Sequence, residues 1–319
     1  MSTASPPADP PPAAPLARKT VRRVGDRIFS GAAVGAGALI LAVLAGVAIF
    51  LAIKAWPAFT ASADEIPGDG GIVSYIAPLA FGTVLGSVIA IVIAVPLAVA
   101  VALYVTMFAP RKIANSISYL VDLLAAVPSV VYGLWGIAVL GPAAVGLHKW
   151  LAEYLGFIPL FEGPASVTGR TMLVVGVVLA VMILPIISAV AREVFSQTPR
   201  QQREAALALG ATRWEMIRMT VLPFGKSAVI GGSMLGLGRA LGETLAVSII
   251  LSASGIVTLN LISSGNPSTI AANIALQFPE SSGLKINVLI ASGLALFAIT
   301  LVVNMAARAV ISRSSRSSA

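Results

Sequence analysis

Apolar residues in this chain do not alternate with polar ones. They run on. Six stretches, near 29–53, 76–108, 117–140, 170–190, 228–252 and 286–308, each reach the ~20 residues a helix needs to cross ~30 Å of hydrocarbon. A single-chain span of this kind must satisfy its own backbone, so continuous runs predict helices. The pattern therefore predicts an all-α, polytopic membrane protein with six transmembrane helices. Pro- or Gly-bearing polar connections separate the runs. The second is long enough to extend past the bilayer or to bend at Pro96. Pro128 predicts a kink in the third span, and Pro185 invites one in the fourth.

Outside the runs the chain changes character. It opens with "MSTASPPADPPPAAPLARKTVRR", a Pro/Ala/Ser bias that cannot build a packed core and predicts a disordered tail over 1–24. The apolar run that follows has no small-residue cleavage site after a short hydrophobic core, so it reads as a retained first span. Residues 25–310 form the transmembrane domain, and 311–319 a short basic tail. Trp56, Trp150 and Tyr154 fall in connections on one side, Trp150 and Tyr154 in a long loop over 141–169. Aromatic residues there fit the membrane–water boundary.

Composition agrees with this picture. The chain is 57% hydrophobic and only 11% charged, with a mean hydropathy of +0.94. That is too few charges to cover a soluble protein of this size. There is no Cys and one His, His148, which excludes disulfides, thiolate sites and a histidine-rich metal centre. No Walker A pattern occurs, so any ATP must be bound by another chain.

The formal net charge is +8, and its distribution tells more than its size. Sixteen of the 21 Lys and Arg residues fall in the N-terminal tail, the connections after spans two and four, and the C-terminal end. Lys54, Lys149, Arg170 and Lys285 fall on the other side. The asymmetry places both termini in the cytoplasm of a cell whose plasma membrane holds the protein. It also reads the charge as an orientation signal and makes nucleic acid an improbable partner.

The connection from about 191 to 227, "REVFSQTPRQQREAALALGATRWEMIRMTVLPFGKS", is charged and helix-favouring. Pro199 suits a first turn. "REAALALG" predicts a short helix that Gly210 ends. Thr212 with Glu215 three residues on is a capping box that restarts one, and Pro223 marks the start of span five. The result is a helix–turn–helix on the cytoplasmic face. It serves either as a plain connection on the membrane surface or as a docking knob, with small Ala205 and Ala206 letting it seat closely against a partner.

Glu204-Ala205-Ala206, then Gly210, then Leu222-Pro223 resemble the EAA loop of ABC importer permeases, which inserts a coupling helix into the ATPase subunit. The family usually carries Ile two positions before the Leu. Thr220 stands here instead, and Ile217 and Val221 can cover the same surface. "AVPSVVYGLWG" (126–136), "ILPIISAVAREV" (183–194) and "GLGRALGETLAV" (236–247) resemble the phosphate-specific transport permeases, the first pointing to the PstC-like member. "FGT" at 81–83 and "STIAANIA" at 268–275 fit too.

The resemblance implies a type I ABC importer permease fold and ATP-driven uptake of inorganic phosphate. It implies a PstA-like permease partner, two copies of a PstB-like ATPase that uses ATP and Mg, and a PstS-like phosphate-binding protein. No cofactor is bound by this chain, and no bond is cleaved by it. Sulfate or molybdate, as tetrahedral oxyanions, are the nearest alternative substrates. A stand-alone secondary transporter would leave the loop 199–223 without a purpose. A membrane-embedded enzyme would need clustered acids, bases or ligands that the spans lack.

One run carries charge in its middle. In "GSMLGLGRALGETLAVSII", Arg239 lies eleven residues after Ala228, ~16 Å along the helix and close to the midplane. Glu243, four residues on, shares its helix face. A central charge facing lipid costs ~3 kcal/mol or more, so both must face protein or a wet path. One reading is a neutralising ion pair that fixes packing. The other makes Arg239 the contact for a transported anion, with Glu243 its counter-charge when the site is empty. A guanidinium fork suits tetrahedral oxyanions and stays protonated, and the resembling family depends on this pair. Asp122 is expected to pair with a loop Arg. Gly236, Gly238 and Gly242 nearly spell a dinucleotide fingerprint, but no strand precedes them. Gly232/Gly236 and Gly238/Gly242 are small-residue pairs expected to let span five pack closely at a pseudo-twofold interface.

Overall fold

The computed structural model describes residues 24–68, 70–252 and 254–316. The Pro-rich segment 1–23 and residues 317–319 lie outside them. Twelve α-helices run along the described chain: α1 Val24–Thr60, α2 Gly71–Leu103, α3 Arg111–Ala126, α4 Ser129–Trp135, α5 Gly141–Leu155, α6 Met172–Ser196, α7 Arg200–Ala208, α8 Arg213–Met216, α9 Leu222–Leu241, α10 Leu245–Ile250, α11 Ile270–Gln277 and α12 Leu284–Arg316. Single π-turns at Gly136–Leu140 and Ile217–Val221 join neighbours without ending the rod, and one at Tyr104–Phe108 extends α2 to the point where Ala109 turns extended.

Six helical stretches are long and apolar enough to cross a membrane: Arg27–Thr60, Gly71–Phe108, Ser129–Leu155, Met172–Ser196, Arg213–Leu241 and Leu284–Ala309. The chain divides into two units at Phe50. In the first, the described part is the α1 stretch up to residue 50, with Leu39, Leu44 and Phe50 exposed.

The core of the second unit is α6. Alanines at four-residue spacing in α2, Ala90, Ala94, Ala98 and Ala102, are fully buried and bring α2 alongside it. A methyl added at Gly176 of α6 would sit 2.3 Å from Ile89 of α2. Gly86 faces Met172, and Ala102 clusters with Ala191, so the two helices run parallel. Helix α9 lies antiparallel on another face of α6. Its Gly225, Gly232 and Gly236 meet Phe195, Val190 and Ile187 in turn. Small residues let helix backbones approach where lipid supplies no hydrophobic drive.

Gly232 and Gly236 thus pack closely as expected, but against α6 of the same chain and not at an interface between chains. Gly236→Leu is expected to overpack this contact, at about 1–3 kcal/mol. The melting midpoint of the detergent-solubilised chain should fall by several degrees. Gly231→Leu, which meets nothing within 4 Å, should leave the midpoint where it is.

The structure moves several sequence-based boundaries. The third span is Ser129–Leu155 and not 117–140. Pro128 does not kink a helix there. It ends α3, and both Val127 and Pro128 are extended, because a residue before proline is pushed out of the α region. Trp150 and Tyr154 lie in the last turns of α5 and not in a loop, with ring centroids 5.5 Å apart. Pro96 and Pro185 sit inside continuous helices. Span five begins before Pro223: the rod runs from Arg213 to Leu241, and proline is tolerated in the first turn of α9. It then stops at Leu241 instead of reaching 252. Helix α12 continues to Arg316, past the expected start of the basic tail.

Candidate functional site

Helix α9 ends in mid-depth. Gly236 faces Ile183 and Ile187, close to the middle of α6. Arg239 lies three residues further, ~4.5 Å along the axis. It is half-buried, in the last turn of α9, where a cation complements the helix dipole. Among the described residues it makes no hydrogen bond and no ion pair. At the α3–α4 break, the Tyr132 hydroxyl donates to the Leu124 carbonyl at 2.7 Å.

The expected pairing with Glu243 is not formed, and the expected shared helix face is lost, because the helix breaks between the two residues. The local cause is legible. In a continuous helix the Ala246 N–H would bond the Gly242 carbonyl. Glu243 Oε1 accepts that N–H instead, at 3.1 Å, and the Thr244 hydroxyl donates to the Gly242 carbonyl at 3.1 Å. Polar side chains compete with the ladder in this way. Glu243 is 9% exposed and holds the first turn of α10 from the position before its N-cap residue, Thr244. Irregular backbone at this depth is tolerated only where protein or a water-lined cavity satisfies it.

Helix α10 has only six residues, so most of its backbone groups are terminal. A buried orphan costs ~1–3 kcal/mol. The far end is held by a residue the sequence reading placed only in the orientation count. Arg170 Nε donates to the Ile250 carbonyl at 3.0 Å, and its Nη2 reaches the Ile249 and Leu251 carbonyls at 3.5 Å. Asn266, fully buried, donates to the Arg170 carbonyl at 3.1 Å and accepts from the Met172 N–H at 3.1 Å. An Asn before proline signals a side chain that bonds nearby backbone, and that was the available clue.

Helix α4 covers the other side of α10. Methyls at Gly133 and Gly136 would lie 2.9 Å from Ala246 and 2.6 Å from Ile250. The "VVYGLWG" stretch is thus the glycine floor on which α10 rests. Two other quoted stretches also meet: the Ile270 N–H donates to Thr83 Oγ1 at 2.9 Å, and Gly82 lies against the Ser268 carbonyl. Nearby, Asn273 donates to Tyr75, Tyr75 to Gln277 and Gln277 to Asn273. This closed ring borders a cavity of about 390 Å³ that the sequence did not reveal.

Asp122 pairs as expected with a nearby Arg. The partner is Arg192, at 2.5 Å, the one ion pair among the described residues. Arg192 lies within α6 and is 13% exposed on its side chain, against 59% for Asp122.

The second site is the hairpin α7–α8. Its turn is a Schellman motif. Gly210 stands at φ +85°, its N–H donates to the Leu207 carbonyl, and the Ala211 N–H donates to that of Ala206. Thr212 and Glu215 form the expected capping box. Glu204 and Ala205 are exposed, and Leu209 is 90% exposed. Ala206 is buried, and it seats against the chain's own core with Met216, Ile217, Val221, Phe195 and Leu103. The expectation that Ala206 faces a partner is thereby corrected. Ile217 and Val221 are fully buried, covering the surface that Thr220 leaves.

Six apolar helices, an anchored Glu-Ala-Ala hairpin and a broken span ending on a cation that has no ion pair among the described residues define a multi-pass membrane permease of the ABC-importer fold. The chain belongs to the binding-protein-dependent transport system inner membrane components, which it matches over residues 94–316, and within them to the phosphate transport system permease proteins PstC. It is 44% identical over 300 residues to PstC 2 of Mycobacterium tuberculosis, covering 90% of this chain and 92% of that one. It is 46% identical over 302 residues to PstC of Mycobacterium leprae, covering 91% and 94%. A chain of the bacterial alginate ABC transporter, solved with an alginate pentasaccharide-bound periplasmic protein, superposes with a TM-score of 0.62 at 14% identity. It covers 89% of this chain and 93% of that one.

Proposed function

We propose that this chain is the permease subunit of an ATP-driven importer of inorganic phosphate. Arg239 is the residue that meets the anion in the membrane. The observation that carries the proposal is the half-buried guanidinium at mid-depth with no acidic partner among the described residues. Such a group offers an oxyanion a charge-assisted fork where it would otherwise lose its hydration. Glu243 belongs to the same pathway wall through its hold on α10. The relatives named phosphate transport system permease proteins support the choice of substrate.

ATP and Mg are used by a separate ATPase, two PstB-like copies of which dock beneath. Glu204, Ala205 and Leu209 contact that partner, while Ala206 and Gly210 fix the hairpin that presents them. A PstA-like permease completes the pathway, and a PstS-like protein delivers phosphate on the far side. The excess of Lys and Arg at the hairpin end supports a cytoplasmic orientation for it and for both termini.

Reconstitution of the four components into proteoliposomes with radiolabelled phosphate tests this reading. ATP-dependent uptake that excess sulfate or molybdate does not suppress is expected. Uptake of sulfate at equal rate, or none of phosphate, overturns it.

A further inference from the structure

We propose that Arg170 is a positioning residue for transport: by clamping the C-terminal carbonyls of α10 it keeps Glu243 engaged at the other end and Arg239 free for the anion. The proposal rests on the reading of Arg239 as the oxyanion contact. It starts from the two ends of one six-residue helix. Glu243 accepts from the Ala246 N–H at the first turn, and the Arg170 fork receives three successive carbonyls, those of Ile249, Ile250 and Leu251, at the last. A carboxylate at the N-terminus and a guanidinium at the C-terminus both match the helix dipole. Among the described residues neither forms an ion pair. Each charge is therefore answered by the helix between them, and that helix is too short to hold itself.

The clamp is itself fixed from outside. Asn266 bonds the Arg170 carbonyl and the Ser263 carbonyl through Nδ2. Its own carbonyl receives both the N–H and the hydroxyl of Ser254. The segment after α10 and the start of α6 thus share one buried amide. Removing the guanidinium frees three carbonyls at a helix end packed against the glycine floor of α4. Fraying from that end releases the Ser248 and Leu251 N–H bonds to Thr244 and Val247. It also lets Glu243 leave Ala246. The carboxylate then has the guanidinium of Arg239, four residues away in sequence and without an ion pair among the described residues, as an alternative.

The test uses the full chain assembled with its partner subunits in nanodiscs and proteoliposomes. Arg170→Met keeps the length of the side chain without the donors. Amide hydrogen exchange at 246–251 is expected to rise at least tenfold, and the phosphate KM per assembled transporter at least fivefold. A merely structural loss would lower the number of assembled transporters and leave that KM alone. Arg170→Lys keeps the charge without the fork and should exchange about three- to tenfold faster than the parent, between Arg and Met. It also carries the test should Arg170→Met fail to assemble: parental exchange in Arg170→Met, or KM unchanged beside accelerated exchange, overturns the proposal, and Lys exchanging as slowly as Arg does so in that case. Asp122→Asn, which breaks the ion pair at the other end of α6, should leave exchange at 246–251 unchanged. A parent transporter that carries no phosphate sinks the functional reading, while the exchange comparison still decides this one.

Discussion

Arg239→Gln is expected to lower phosphate uptake by roughly a hundredfold or more while leaving the transporter assembled. The magnitude follows from losing a charged fork in a poorly hydrated site, about 3 kcal/mol. The intact assembly follows from the structure. Arg239 makes no hydrogen bond or ion pair among the described residues, so neutralising it breaks none and relieves a half-buried charge. Its melting midpoint should equal or exceed that of the parent. Arg192→Gln makes the contrast, because it deprives Asp122 of its partner. Arg239→Lys keeps a point charge without the planar fork and should retain an intermediate rate. Uptake by Arg239→Gln above about a tenth of the parental rate would remove the anion site from the account.

Gly210→Val should uncouple the transporter from its ATPase. The position sits at φ +85° with open space around it. The penalty is therefore backbone strain and not a clash, and for a β-branched residue in the left-handed region it is about 1–2 kcal/mol or more. The Schellman turn would open, and Leu209 with Glu204 would no longer be presented in one orientation. Co-purification of the ATPase and ATP-driven uptake are expected to fall at least tenfold, with the spans intact. Gly210→Asn is the discriminating control, since Asn tolerates the left-handed region. Parental coupling in the Val variant would show that the turn geometry is not what the partner reads.

These predictions draw on different depths of the sequence. The hairpin was legible almost whole, because its signals are local: the glycine stop, the Thr212–Glu215 box and Pro199 each act within one turn. What it did not reveal was the side each alanine faces. Ala205 and Ala206 are neighbours of the same type, and only the apolar cluster around Phe195 selects Ala206 for burial. The pairing of Asp122 was readable as a need for a nearby cation. That the cation lies within α6 depended on where that helix ends.

By itself, the sequence determined that this is a six-span helical membrane protein, which parts of it gather positive charge, and that a charged pair lies in its fifth apolar run. Those properties follow from run length, from counting Lys and Arg, and from the cost of charge in hydrocarbon, none of which needs a partner residue. Tertiary structure decided what the charges do. Spacing put Arg239 and Glu243 on one helix face. The fold instead spends Glu243 on the Ala246 N–H and brings Arg170, eighty residues away, to the opposite end of α10. Local spacing could not reveal this, because a helix continues only while its backbone bonds are the best available. Here a threonine hydroxyl, the adjacent Glu243 carboxylate and the distant Arg170 guanidinium, acting on a short helix packed over Gly133 and Gly136, offered better ones.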